Sequence, residues 1–311
     1  MTGSFSDLAQ KAASGQALAP ADARRLAETP DLVTVGMVAT EARRARVGNG
    51  VTYVRVMEIE HGGPGSGPGA SVPEPIGDVP DAARELRISG MPESIGEAAA
   101  WVSRAVAAAG DRPVSGFSLA QIWALAEGDL TAVQAFARTL RQAGATAIAE
   151  VAVDDLPLEA LRPALDALLA GGLLAPVASF RNAPADPIAA FYALRQLQAE
   201  GAVFRAVAPL PKRRLSPSEA PSTGYDDVKL VALARVILDN VDHVQVDWAT
   251  HGPKLAQVAL LFGASDLDRV SPSDDAPLGH RRAPIEEVQR NITAAFLEPI
   301  ERDGRFERVA R

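Results

Sequence analysis

The 311-residue sequence contains no cysteine. That absence excludes disulfides, thiolate nucleophiles, zinc held on thiolates and any cysteine-ligated iron-sulfur cluster. Aromatic residues are also few, at 5% with three Trp and three Tyr, and no aromatic pattern accompanies the basic residues to stack nucleic-acid bases. No uninterrupted apolar run approaches the ~18 residues of a membrane-crossing helix. The first residues show no basic region followed by an apolar stretch, so no signal peptide is expected and the cytoplasm is the expected address. Positive charge is in deficit: 31 Lys and Arg face 39 Asp and Glu, a formal charge of -8. Nucleic acid or an anionic membrane would be repelled over most of such a surface, so neither is an expected partner. What is present is globular in character, with 47% hydrophobic and 23% charged residues and length enough for a full core.

Residues 1–50 read as an N-terminal helical extension, with Pro20 opening one segment and Asp31 capping Leu32 to Arg46. From Val51 the chain repeats a beat of strand, loop and helix. Strand candidates are Val51–Ile59, Leu86–Ser89, Pro113–Phe117, Ala145–Val151, Leu173–Phe180, Val203–Leu210, His243–Trp248 and a weaker Asp266–Val270. Between them lie helix starts at Ser94 with Glu97, Ser118 with Gln121, and Asp186 with Pro187. Helix ends fall at Gly110, Gly144, Gly171 and Gly201. Eight units with continuously apolar strands predict a closed (β/α)8 TIM barrel over residues 51–311, an α/β fold. A Gly/Pro-rich loop at 62–80 interrupts the first two units. The rival, a doubly wound sheet, lacks the G-x-G-x-x-G that would follow its first strand.

The stretch LVALARVILDNVDHVQVDWATHGPKLAQVALLFGASDLD, from Leu230 to Asp268, and RRAPIEEVQRNITAAFLEPIERDG, from Arg281 to Gly304, carry a more specific signal. They resemble the radical S-adenosylmethionine enzymes of the menaquinone futalosine pathway, aminofutalosine synthase and dehypoxanthine futalosine cyclase, with relatives in deazaflavin cofactor synthesis. The resemblance implies three cysteines as CxxxCxxC after the first strand. Here Val51 to Glu60 runs into His61-Gly62-Gly63 instead. A 4Fe-4S cluster that reduces S-adenosylmethionine needs three thiolates and one open iron, so the radical chemistry does not carry over and no cofactor is expected.

In the barrel register, His61, Glu150, Arg181, Asn182, Asp247, His251 and Asp274 fall at or beyond C-terminal strand ends, where barrel enzymes place their chemistry. If the chain is active, His251 is a candidate general base, Asp247 its orienting group, and Glu150 a further catalytic candidate. Arg181, Asn182, Trp248 and Asp274 are candidate ligand contacts, Arg181 through a substrate carboxylate. Trp248 also matches an aromatic position common in the resembled enzymes. A divalent metal is a weaker alternative on His61, Glu150, Asp247 and His251. Each residue has a plainer role as well: Asp247 can face outward, Trp248 can cap the core, and His243 can be a packing residue. Lys212, Arg213 and Arg214 read as a solvated loop or an anion contact, and His280 beside Arg281 and Arg282 reads the same way.

Three functions follow as alternatives. The first is a non-catalytic partner in a heteromeric complex with a cysteine-containing radical enzyme. The second is a non-radical enzyme on a small anionic or aromatic metabolite. The third is a small-molecule-binding or sensing protein.

Overall fold

The structure is a computed structural model, and it describes residues 5–60, 76–201, 203–212, 223–273 and 285–310. Three helices come first: α1 (Phe5–Ala13), α2 (Pro20–Glu28) and α3 (Leu32–Val47). They are followed by β1 (Gly50–Glu60), β2 (Glu85–Ser89), α4 (Ile95–Ala109), β3 (Val114–Gly116), α5 (Leu119–Leu125) and α6 (Leu130–Gln142). Next come β4 (Val151–Ala152), α7 (Leu158–Ala170), β5 (Val177–Ser179), α8 (Pro187–Ala199), β6 (Ala206–Ala208) and α9 (Gly224–Ile237). The chain continues through β7 (His243–Asp247), α10 (Trp248–Leu260), β8 (Asp266–Val270), α11 (Ile285–Ala294) and β9 (Glu298–Glu301).

Local chemistry sets most of the helix starts. The Asp31 carboxylate accepts the Thr34 amide at 3.1 Å, and Asp129 does the same for Ala132 at 2.7 Å. Ser118 and Gln121 close a reciprocal box, with the Ser118 amide donating to Gln121 Oε1 at 2.7 Å. Ser94 caps Glu97, but the Glu97 carboxylate reaches back to the amide of Glu93 at 2.7 Å, one residue earlier than in a closed box.

The sheet is mostly parallel. Its strand order is β3-β2-β1-β8-β7-β6-β5-β4, with β9 pairing on β1. The ladder is therefore an open path ending at β3 and β4, not the closed ring predicted from sequence. Between those ends single bridges form, Ser115 to Ala147 and Ser118 to Glu150. The physical reason lies in the strands themselves. β3 has three residues and β4 two, and Phe117 turns to φ 61 immediately after β3, a backbone that cannot continue a strand.

Two compact units divide the chain. One comprises Met1–Tyr53, Ser179–Asp268 and Ala276–Ile300; the other comprises Val54–Ala178, Arg269–Asp275 and Glu301–Arg311. In the first unit the second half of α9, Leu230 to Ile237, is buried throughout, and the helix packs against α3 and α8. Asp266, wholly buried, accepts from Thr52 Oγ1 at 2.5 Å and from Gln245 Nε2 at 2.8 Å, which satisfies a carboxylate that would otherwise be costly to bury. In the second unit β2 packs against α4, and Leu86, Ile88, Ala98, Val102 and Ala105 are buried. Glu85 is its buried charge, held by Arg87 at 2.9 Å and by Ser115 Oγ at 2.5 Å. Gly171 sits where a Cβ would lie 2.4 Å from Ala137 Cβ, so α6 and the end of α7 approach through the missing side chain.

Candidate functional site

β7 is buried from Val244 onward and delivers Asp247 and Trp248 at its C-terminal end. Asp247, 2% exposed, is the N-cap of α10: its Oδ1 accepts the Thr250 amide at 2.8 Å. Trp248 opens the helix and is 1% exposed. His251, one turn on, places Nδ1 3.1 Å from the main-chain oxygen of Asp247. A carbonyl only accepts, so Nδ1 carries the proton and Nε2 of that neutral tautomer can only accept. Immediately afterward Gly252, at φ 79 and ψ 166, and Pro253 break the helix. Among the described residues His251 Nε2 and Trp248 Nε1 are both buried with no hydrogen-bond partner. A buried polar atom left in this way costs about 1–3 kcal/mol, so the first turn of α10 carries two uncompensated groups, one donor and one acceptor.

The other predicted residues stand on other segments of the chain. Arg181 and Asn182 are exposed in the approach to α8, whose cap is Asp186. Glu150 is half-buried in the second unit, and its carbonyl accepts the Leu119 amide at 3.1 Å. His61 and Asp274 lie outside the described residues, as do Arg213, Arg214 and His280. The Lys212 amide donates to the Phe180 carbonyl at 3.1 Å. His243 starts β7 with Nδ1 3.3 Å from Ser265 Oγ, a packing environment. Among the described residues no three His, Asp or Glu side chains gather as metal ligands, and His61 of the expected set lies outside them.

Two buried arginines were not singled out in the sequence. Arg235, 2% exposed, donates to the carbonyls of Gly263 and Asp242 and to Ser265 Oγ. Burial, with Arg43 and Arg46 nearby, pushes its guanidinium down to about 9. Arg43, 1% exposed, donates to the Gly48 carbonyl at 2.7 Å and is held below the usual arginine range, chiefly by burial. Ala12, Gln16, Arg46, Arg235 and Asp239 line a cavity of about 100 Å³ among α1, α3 and α9. The only sequence signal for these cations was an Arg in an otherwise apolar helix face.

Residues 203–310 match the family described as the CofH/MqnC C-terminal region. The chain is 31% identical over 134 residues to a 5-amino-6-(D-ribitylamino)uracil–L-tyrosine 4-hydroxyphenyl transferase of Methanosarcina mazei, covering 38% of this chain and 35% of that protein. It is 35% identical over 132 residues to the aminodeoxyfutalosine synthase of Thermus thermophilus, covering 37% and 34%. These matches span about a third of the length of each relative. In fold it is similar to methylornithine synthase (PylB), with a TM-score of 0.65 at 14% identity over 94% of this chain and 97% of that one. It is likewise similar to the hydrogenase maturase HydG, at 0.65 and 11% over 95% and 76%. The mostly parallel sheet with its helical crossovers is thus a partial TIM-barrel fold like that of these two proteins. Over about a third of its length the chain is similar to the CofH/MqnC family and to aminodeoxyfutalosine synthases. It differs in having no cysteine: the residues present do not fit an iron-sulfur cluster, because no thiolate exists to hold one.

Proposed function

We propose that this chain is a non-catalytic partner of a cysteine-bearing radical enzyme of its own family, stabilising that enzyme or holding its intermediate. The observation that carries the reading is the pairing of a total loss of cysteine with a C-terminal region, residues 203–310, that still matches the family. A scaffold kept after its reaction centre is gone fits selection for association better than selection for chemistry, although fold alone assigns no function.

A surface feature supports the same reading. On α3, Val33 and Met37 are 74% and 62% exposed, four residues apart and so on one face. Leu261, 52% exposed, lies beside that helix, since its carbonyl accepts from Thr40 Oγ1 at 3.2 Å. Apolar side chains grouped and open to solvent mark association surfaces more often than chance placement does. The occupant proposed is the cysteine-bearing relative. Mixing the two chains and following their elution by size-exclusion chromatography tests it. Met37→Glu and Leu261→Glu are expected to abolish co-elution while leaving the melting temperature of the isolated chain nearly unchanged. Co-elution that persists in both variants removes this surface from the account.

A further inference from the structure

The cavity among α1, α3 and α9, about 100 Å³ in volume, lies within the first unit. Gln16, just past α1, and Arg46 on α3 are exposed residues of its lining, whereas Arg235 on α9 is 2% exposed. The space therefore runs from solvent inward to a buried arginine. A guanidinium has five N–H donors, and Arg235 makes four hydrogen bonds. Nε meets the Gly263 carbonyl at 3.1 Å, Nη1 and Nη2 share the Asp242 carbonyl at 3.2 and 3.3 Å, and Nη2 also meets Ser265 Oγ at 2.9 Å. One Nη1 hydrogen has no partner among the described residues, and none of these acceptors is a carboxylate. A cation buried against neutral dipoles alone is costly.

The charges nearby do not cancel it. Arg43 and Arg46 both act on Arg235 as like charges. Asp239, which lines the cavity, is held by Arg195 at 2.6 Å. Asp242 is held by Arg46 at 2.8 Å and by Arg205 at 3.4 Å. Five guanidiniums thus stand with two carboxylates, in a chain whose formal charge is -8. Glu41 and Asp22 add no relief, being paired with Arg44 and Lys11.

We propose that this cavity is a binding site for a phosphate group, held by Arg235 at its buried end and by Arg46 and the Gln16 amide at its open end. The local excess of positive charge suits an anion, and phosphate carries about -1.5 to -2 near neutral pH. Size agrees: an engineered cavity of about 150 Å³ takes the six carbons of benzene, and phosphate has five heavy atoms. The donors come from three separate segments of chain, which the oxygens of a tetrahedral group can meet more readily than the two coplanar oxygens of a carboxylate. Arg46 spends Nη2 on Asp242 and has further N–H groups to offer. None of these residues belongs to the surface proposed for the partner chain, so either reading can fail alone.

Sodium phosphate is titrated into the full chain by isothermal calorimetry near neutral pH, with ionic strength held constant by sodium chloride. Saturable one-to-one binding is expected, with acetate about tenfold weaker or worse. Arg46→Gln and Gln16→Glu change exposed side chains, and each is expected to weaken phosphate binding by about tenfold. Their melting temperatures without phosphate are expected to stay close to the parent's, so the comparison does not depend on altering buried Arg235. Methyl phosphate distinguishes the sources: equal affinity assigns a phosphomonoester with its ester group toward solvent, and much weaker binding assigns free phosphate. No saturable heat, or a heat that chloride reproduces at the same ionic strength, overturns the proposal. Equal binding of acetate, or unchanged affinity in both variants, overturns it too.

Discussion

His251 meets Asp247 through the main chain: its Nδ1–H donates to the Asp247 carbonyl oxygen at 3.1 Å, while Oδ1 of the same aspartate caps the Thr250 amide. One residue thus fixes both the start of α10 and the tautomer of the histidine that follows. A change at Asp247 acts on folding first and on the ring through the backbone second.

Removing the cap measures the folding part. Asp247→Ala is expected to destabilise the chain by about 1 kcal/mol, seen as a lower urea midpoint at unchanged slope. Asp247→Asn keeps an acceptor for the Thr250 amide and is expected to stay close to the parent. Equal losses in the two variants would mean that the charge, not the cap, is what matters.

The buried pair Glu85–Arg87 is a second point of leverage. Their side chains are 4% and 12% exposed and 2.9 Å apart, and Ser115 Oγ is bound to the same carboxylate. Glu85→Ala leaves a guanidinium with little access to water, and the expected cost is about 3 kcal/mol by denaturant titration. The double variant Glu85→Met with Arg87→Met is expected to recover most of it, since removing both charges ends the desolvation penalty.

At Gly171 the constraint is steric. A Cβ there would lie 2.4 Å from Ala137 Cβ and 2.7 Å from the Gln134 carbonyl. Gly171→Ala is expected to cost about 1–3 kcal/mol, and the paired Ala137→Gly is expected to return part of it. Thermal melts of the single and double variants check this.

Tyr192 gives a pH signature. Its O–H donates to the Leu18 carbonyl, and burial, partly offset by Arg195 and reinforced by Asp22 and Asp239, holds its pKa above the usual 10.0. The raised folded value means the contribution is fully present below about pH 10 and is lost as pH rises through the folded pKa. Tyr192→Phe is expected to be less stable than the parent at neutral pH and to converge on it in alkali. Parallel stability curves across that range would contradict the assignment.

Much of the element order was legible because it depends on local chemistry. Asp31, Ser94, Ser118 and Asp186 sit where their caps are needed, and a strand was predicted at or across each of β1 to β8. The limits were non-local. The segment predicted as a strand over 145–151 forms a ladder only at Val151–Ala152, because pairing depends on what the neighbouring strand offers, and β3 ends at the left-handed Phe117. β9, Glu298–Glu301, was missed, since its four residues include two glutamates and a proline and carry no strand signal. At the candidate site the residue types at the end of β7 were readable. That Asp247 caps a helix, that His251 holds a carbonyl, and that Trp248 Nε1 lacks a partner all depend on hydrogen-bond geometry, which residue spacing does not encode.

The most direct test of the account is native mass spectrometry of the chain co-expressed with a cysteine-bearing enzyme of its family, with iron measured in the same sample. The account expects a stoichiometric complex whose iron stays with the partner when the chains are separated, and loss of that complex in Leu261→Glu. A chain that remains alone, or that carries iron of its own in stoichiometric amount, would contradict it.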